Sequence, residues 1–321
     1  MHPLDACHWT FGCKLLTCCF YWDNYNTPGV VRPKSPAPPL TTGMKPLSRL
    51  RDPRYYQIVV LTTLLSIGIV VLDFGIRWQN AVAILLVAQV TQFLGTRLAG
   101  LPRFDPLSAL ITSLSLTLLL RTELIGLAMA AAVVAIGSKF LIRVRGKHVF
   151  NPANAALVSL MLLSDQAWVS SGQWGSATIG AFGLACLGFL VLTRAKRAET
   201  TIAFLCVYGA LLFGRAAWLG DPMSIPVHQL QNGALLIFAF FMISDPKTTP
   251  DTAVGRTLFA TLVAAIAYTI QFVFYQPNGP ILALILSAPL VPLVDAVLQG
   301  SHYRWEKPGA RASVSLKGVQ S

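Results

Sequence analysis

From residue 57 onward the chain alternates long apolar runs with short polar or basic connections. The runs fall near 57–76, 80–97, 105–120, 123–142, 152–164, 176–193, 201–219, 229–244, 257–275 and 280–298. Most suffice to cross ~30 Å of hydrocarbon at ~1.5 Å rise per residue. The pattern predicts an all-α integral membrane protein with about ten transmembrane helices. The fifth run is short, opens on Asn151-Pro152 and ends in a loop rich in Ser, Gly and Trp, as a half-helix would. Ten helices divide as five plus five. An odd number per half sets the halves in opposite orientations, so the expected architecture is an inverted repeat with broken helices.

Composition agrees with that pattern. Hydrophobic residues make up 54% of the 321 residues and charged residues only 12%, about half the share of a soluble domain. Mean hydropathy is +0.60. The net charge of +12 raises the question of nucleic acid. The basic residues, however, sit in short clusters between apolar runs, as the positive-inside rule expects of cytoplasmic loops. With the N-terminus inside and ten crossings, all of the 25 Lys and Arg residues fall on the cytoplasmic side except Arg77, Arg121 and Arg215. A miscounted helix would invert every later loop and destroy that bias. Both termini are therefore expected in the cytoplasm, the membrane is expected to be the bacterial inner membrane, and no nucleic-acid partner is expected.

Residues 1–43 differ from the rest of the chain. They are rich in Cys, Trp, Tyr and Pro and lack periodicity. They also lack the basic lead and small-residue cleavage site of a signal peptide. Met44 opens a basic, conventional start, so translation is expected to begin there, leaving 44–56 as a cytoplasmic lead, 57–298 as the membrane domain and 299–321 as a C-terminal tail. Four cysteines lie in the N-terminal tail, and Cys186 and Cys206 lie in apolar runs, where they read as buried small hydrophobes. No Cys-x-x-Cys pair occurs, so no metal site is assigned.

Few charges lie deep in the apolar runs. Asp73, Lys139, Arg215 and Asp295 sit near run ends, where snorkelling anchors are expected. Three polar segments stand out. Asn151-Pro152-Ala153-Asn154 follows the most basic loop and begins with an N-cap and a Pro at the first helical position. Two readings are open: a capped helix at the interface, or a helix N-terminus facing an anionic or electron-rich ligand. The loop 164–176 lacks Lys and Arg. Its Trp168 and Trp174 suit the membrane interface or the flanks of a planar aromatic ligand. It leads into Gly175-Ser176-Ala177-Thr178. In the third segment a hydrophobic run meets Ser244, Asp245 and Pro246 at the cytoplasmic face, with Asp251 and Arg256 beyond. Gln89, Gln92, Gln271, Ser113 and Ser115 read as polar contacts between helices, with the lining of a narrow path as the other reading.

At these segments the sequence resembles the NQR2/RnfD family: the RnfD component of the Rnf electron-transport complex and its counterpart in the sodium-pumping NADH:quinone oxidoreductase. The resemblance is carried by Phe150-Asn-Pro-Ala153, by Phe241-Met-Ile-Ser-Asp-Pro246 with Gly255-Arg256, and by Pro292-Leu-Val-Asp295 followed by Tyr303-Arg-Trp305. It implies a membrane subunit passing electrons through flavin, beside partner subunits and coupled to Na⁺ or H⁺ movement. It also implies FMN attached through a phosphoester to a Thr, with riboflavin and a quinone as further ligands. On that reading Thr178 is the attachment point. Asn151, Asn154, Trp174, Ser244 and Asp245 are the cofactor-binding residues, and none is catalytic. In the attachment motif Gly175 and Ser176 stand in exchanged order relative to the Ser-Gly-Ala-Thr of the family. A flavin carrier needs no acid–base pair of its own, because the cofactor supplies the redox chemistry; the chain is not expected to be an enzyme alone. The rival reading is an inverted-repeat channel or transporter, or a scaffold subunit, without flavin.

Overall fold

Helix starts are written into the chain as caps. In the computed structural model, which describes residues 52–300 apart from 73–74, 102, 145, 171–182, 184–187 and 189–197, Asp52 accepts a hydrogen bond from the Arg54 N–H at 3.0 Å and opens α1 (Pro53–Val70). Asp105 with Pro106 opens α3 (Pro106–Leu119), and Asn151 with Pro152 opens α5 (Pro152–Leu163). In each case the cap satisfies an orphan amide while Pro occupies a position that needs no N–H. Between them lie α2 (Trp78–Leu98) and α4 (Ile125–Leu141).

Two-stranded ladders fill the turns. The extended segments β1 (Leu120–Thr122) and β4 (Ala167–Val169) follow α3 and α5 and pair antiparallel, Arg121 facing Trp168. At the other end of the bundle, β2 (Arg143–Val144) and β3 (Lys147–His148) form a hairpin between α4 and α5. Helix α3 alone rises ~21 Å, and β1 adds ~10 Å. The pair together matches a hydrocarbon thickness that the helix alone does not. Because β1 is buried and paired, its extended backbone is satisfied within the protein.

The second part of the chain carries α6 (Ala198–Leu219), α7 (Ser224–Leu230), α8 (Gly233–Ile237), α9 (Ala253–Phe272), α10 (Gly279–Ser287) and α11 (Val291–Val297). A π-helical turn, Phe238–Met242, extends α8. The run expected as one helix over 229–244 is broken instead. Asn232 accepts from the amides of Ala234 and Leu235, which starts a new helix and bends the pair by 51°. The predicted run 176–193 and residues 1–51 lie outside the described residues, as do Asp73 and Cys186; of that run only isolated positions are described.

Among the described residues, five helical spans are long and apolar enough to cross a membrane: α1, α2, α6, α9 and the composite Gly279–Val297. The bent pair makes a sixth, and α3, α4 and α5 are shorter apolar helices. Lipid-type faces point outward, as with Leu86, Val90 and Leu94 on α2. Small residues line the helix contacts. On α4, Ala128, Ala131, Ala132 and Ala135 are fully buried, and a Cβ on Gly95 of α2 would lie 2.5 Å from the Phe140 ring of α4. In the α9–α10 contact the neighbour is backbone, since a Cβ on Gly279 would lie 2.5 Å from the carbonyl oxygen of Ala267.

Two sequence expectations are corrected here. Cys206 is exposed rather than buried; it lies on the outward face of α6, away from the core residues Phe204 and Tyr208. Lys139 does not snorkel. It is 3% exposed and turns inward, because Ser108 of α3 offers it a carbonyl and a hydroxyl at 3.2 and 3.1 Å.

Candidate functional site

Polar side chains gather at the two ends of the bundle. At the first end, the starts of α1, α3, α5 and α9 meet the close of α4 and of the π-helical turn. Arg54 joins Asp52 to Asp105. The Lys147 ammonium on the hairpin uses all three protons: it donates to the Thr249 carbonyl at 2.8 Å, Asp251 Oδ1 at 2.9 Å and Asp295 Oδ2 at 2.8 Å. Asp295 accepts from the Asp251 amide through its second oxygen at 2.8 Å. Asp295, read as an interface anchor, is thus part of a buried clasp between the hairpin and α11. Arg256 pairs with Glu199 of α6 and donates to the Asp251 carbonyl.

Inside this rim lies a cavity of about 60 Å³. Its wall includes Ser108, Lys139, His148, Asn151, Asp245 and Lys247. The His148 ring is buried, with Nδ1 3.1 Å from the Lys139 carbonyl, so Nδ1 carries the proton that donates there and Nε2 is left as an acceptor. Burial, reinforced by the positive charges of Lys247, Arg143 and Lys139, pushes this imidazole down to about 3.

The sequence-predicted residues divide here. Asn151 and Asp245 are brought together, with Asn151 Nδ2 donating to Asp245 Oδ2 at 3.4 Å and Asn151 Oδ1 capping Asn154 N at 3.1 Å. Asn154 is 1% exposed and its Oδ1 has no hydrogen-bond partner among the described residues. Ser244 bonds back to the Phe240 carbonyl at 2.6 Å and ties down the end of the π-helical turn. Thr178 and Trp174 lie outside the described residues. The inward turn of Lys139 and the roles of His148 and Lys147 escape a sequence reading. The only signal for these is their position in or beside the most basic loop, which reads equally well as a solvated one.

The opposite end holds a cavity of about 510 Å³. Aromatic side chains Trp168, Tyr208 and Phe238 line it together with the amides of Gln229, Asn232 and Gln271, and no charged residue is among its described lining residues. Tyr208 donates to Gln271 Oε1 at 2.6 Å, so Gln271 makes the contact between helices that its sequence position suggests. The start of α10, at Asn278 and Pro280, closes the wall.

Length, apolar composition and outward-facing hydrophobes define a multi-pass helical membrane protein. Residues 170–304 match the model of the NQR2, RnfD, RnfE family. Curated relatives include three proteins, each named as the D component of an ion-translocating oxidoreductase complex. The one from Erwinia tasmaniensis is 31% identical over 121 residues, 37% of this chain and 34% of the relative. That of Psychromonas ingrahamii is 31% identical over 157 residues, 48% and 44%, and that of Mannheimia succiniciproducens 35% over 108 residues, 33% and 30%. Over residues 170–304 the chain is thus similar to the NQR2, RnfD, RnfE family. The chain spans less than half the length of the curated relatives it matches.

Proposed function

We propose that this chain is a membrane subunit of an Rnf-type ion-translocating oxidoreductase complex that passes electrons through a flavin in the uncharged cavity at the second end of the bundle. The observation that carries the proposal is the 510 Å³ cavity. Its volume falls in the roughly 300–1,000 Å³ range of small-molecule sites. Aromatic faces and uncharged amides suit a planar heteroaromatic ring with several donors and acceptors. Val169 lines this cavity, and Thr178, the proposed phosphoester point of an FMN, stands nine residues further on in the sequence. When bound, the flavin supplies the redox chemistry. The protein's own part is to stack on the ring, hydrogen-bond its edge and keep it from bulk water. The 60 Å³ cavity is too small for a flavin ring, so riboflavin or quinone at that end would need the wall to open.

Architecture supports the same reading. Polar caps open α3 and α5 at the first end, whereas Asn232 and Asn278 open α8 and α10 at the opposite end. Counted on the ten expected crossings, those would be the third and fifth segments of each half, inverted, which supports an inverted repeat. Arg77 and Arg215, at the opposite end, are paired with Glu123 and Asp221. Arg97 and Arg103 at the first end have no carboxylate partner among the described residues, which supports that end as the cytoplasmic one. Partner redox subunits and Na⁺ or H⁺ movement belong to the proposal through the relatives' names and the family resemblance.

The test is flavin analysis of detergent-purified protein coexpressed with a flavin transferase. Wild type is expected to keep yellow colour in an acid precipitate, and Thr178→Ala to lose it. Unchanged covalent flavin in the variant eliminates Thr178. A colourless wild type favours the channel, transporter or scaffold reading.

A further inference from the structure

We propose that the 60 Å³ cavity at the charged end binds a small monovalent anion of halide size, held by Lys139 with Asn151 and the N-terminus of α5. Such a site is independent of flavin.

Lys139 is the starting point. A buried ammonium must be paired, neutralised or solvated, because an isolated charge is costly in a low dielectric. Lys139 is 3% exposed, yet both of its hydrogen-bond partners, the carbonyl and hydroxyl of Ser108, are neutral. No carboxylate lies within 4.0 Å of it among the described residues. Two of its three protons are used, and the side chain lines the cavity. The carboxylates on this side are engaged elsewhere. Asp105 accepts both Arg54 bonds at 3.0 Å, and Asp245 accepts from the Lys247 amide at 3.0 Å and from Asn151.

The remaining wall combines apolar side chains such as Ile111 and Phe241 with donors and an excess of positive charge. Asn151 Nδ2 makes only two long contacts, both 3.4 Å, to Met242 O and Asp245 Oδ2, so a closer acceptor in the cavity would be a better partner for it while Oδ1 keeps its cap on Asn154 N. Pro152 and Ala153, the first residues of the 12-residue helix α5, border the cavity; the helix N-terminus favours negative charge there. Lys247 and Arg54 complete the positive side, against the single carboxylate Asp245. His148 reports the same field, since neighbouring cations help to hold it neutral. The volume selects the ligand. A cavity needs about 10–15 Å³ to hold one water, so 60 Å³ admits a halide with a few waters but not a nucleotide or a flavin.

Bromide is the probe. Crystals of the full chain grown in bromide are expected to show an anomalous peak beside Lys139. In solution, the melting temperature of the full chain in detergent is measured in gluconate buffer at fixed sodium and ionic strength. Titrating chloride or bromide is expected to raise it saturably. In Lys139→Met the apparent halide affinity should fall at least about tenfold, while Lys139→Arg should retain it. A missing bromide peak together with a non-saturating response overturns the proposal, and so does an equal response in Lys139→Met. Should Lys139→Met not fold, the wild-type bromide peak decides. Thr178→Ala should respond to halide like wild type, so this test and the flavin test fail separately.

Discussion

The two ends of this bundle hold cavities of opposite character. At one end about 60 Å³ is enclosed by Lys139, His148, Asp245 and Lys247; at the other about 510 Å³ is lined by aromatics and amides. The difference follows from how each end is held together. Buried ions fix the first end, where Lys147 is caught between carboxylates 2% and 9% exposed. Such a network is rigid only while complete, and it leaves little room. At the second end the ion pairs Arg77–Glu123 and Arg215–Asp221 lie apart from the cavity lining, and the wall residue Tyr208 is held by stacking nearly parallel to Phe204 at 5.5 Å and by its hydrogen bond to Gln271. Apolar walls tolerate a large void and accept a flat apolar ligand. Charge lines the cavity at the locked end, and neutral surface lines the cavity proposed for the flavin.

The sharpest way to break this contrast is to cut the clasp. Lys147→Met leaves Asp251 and Asp295 buried without their ammonium. The loss is expected to be about 3–5 kcal/mol, read as a large drop in melting temperature of the detergent-purified protein. Lys147→Arg should recover part of it. If the ends are built independently, flavin retained by surviving folded protein should be unchanged.

Some of this is legible in the sequence and some is not, and the same residues show why. Helix starts at Asp105-Pro106 and Asn151-Pro152 are readable because a cap and a Pro act within four residues. Apolar runs are readable because membrane crossing is a matter of length. Lys139 defies a local reading because its fate depends on Ser108, on another helix, and no nearby pattern records that partner. Lys147 hides for the same reason, since its acceptors lie 102 to 148 residues away. The break at Asn232 is invisible because a cap inside an apolar run does not interrupt hydropathy. Asn151 and Asp245 each stand out in the sequence, but their meeting is a product of the fold.

A second, smaller effect is pH. The folded value of His148, about 3, lies below its unfolded value of about 6.5. The unfolded chain therefore takes up a proton that the folded chain refuses. Stability from this group is fully present above pH 6.5 and is lost as pH falls from there toward 3. From about pH 7.5 to about pH 5 the loss should approach about 2 kcal/mol. His148→Gln should flatten that part of the curve, measured as the difference between the two proteins' melting profiles. An identical profile would mean that the ring is not the buried neutral wall of the charged cavity. Thr178→Ala, altered at the other end, should keep the wild-type slope.

The smallest effect sharpens the uncharged cavity. Tyr208→Phe removes the 2.6 Å hydrogen bond to Gln271 while keeping the ring that stacks on Phe204. Because the Gln271 amide borders a cavity that admits water, its lost partner can be replaced, and the cost should be only about 1 kcal/mol. The informative readout is spectroscopic. Phe in place of Tyr removes a donor from the wall without changing the charge or the stacking surface. A flavin in this cavity should show a shifted visible band in Tyr208→Phe, while the pH dependence set by His148 stays as in wild type. A flavin spectrum indifferent to Tyr208 would place the cofactor somewhere other than this cavity.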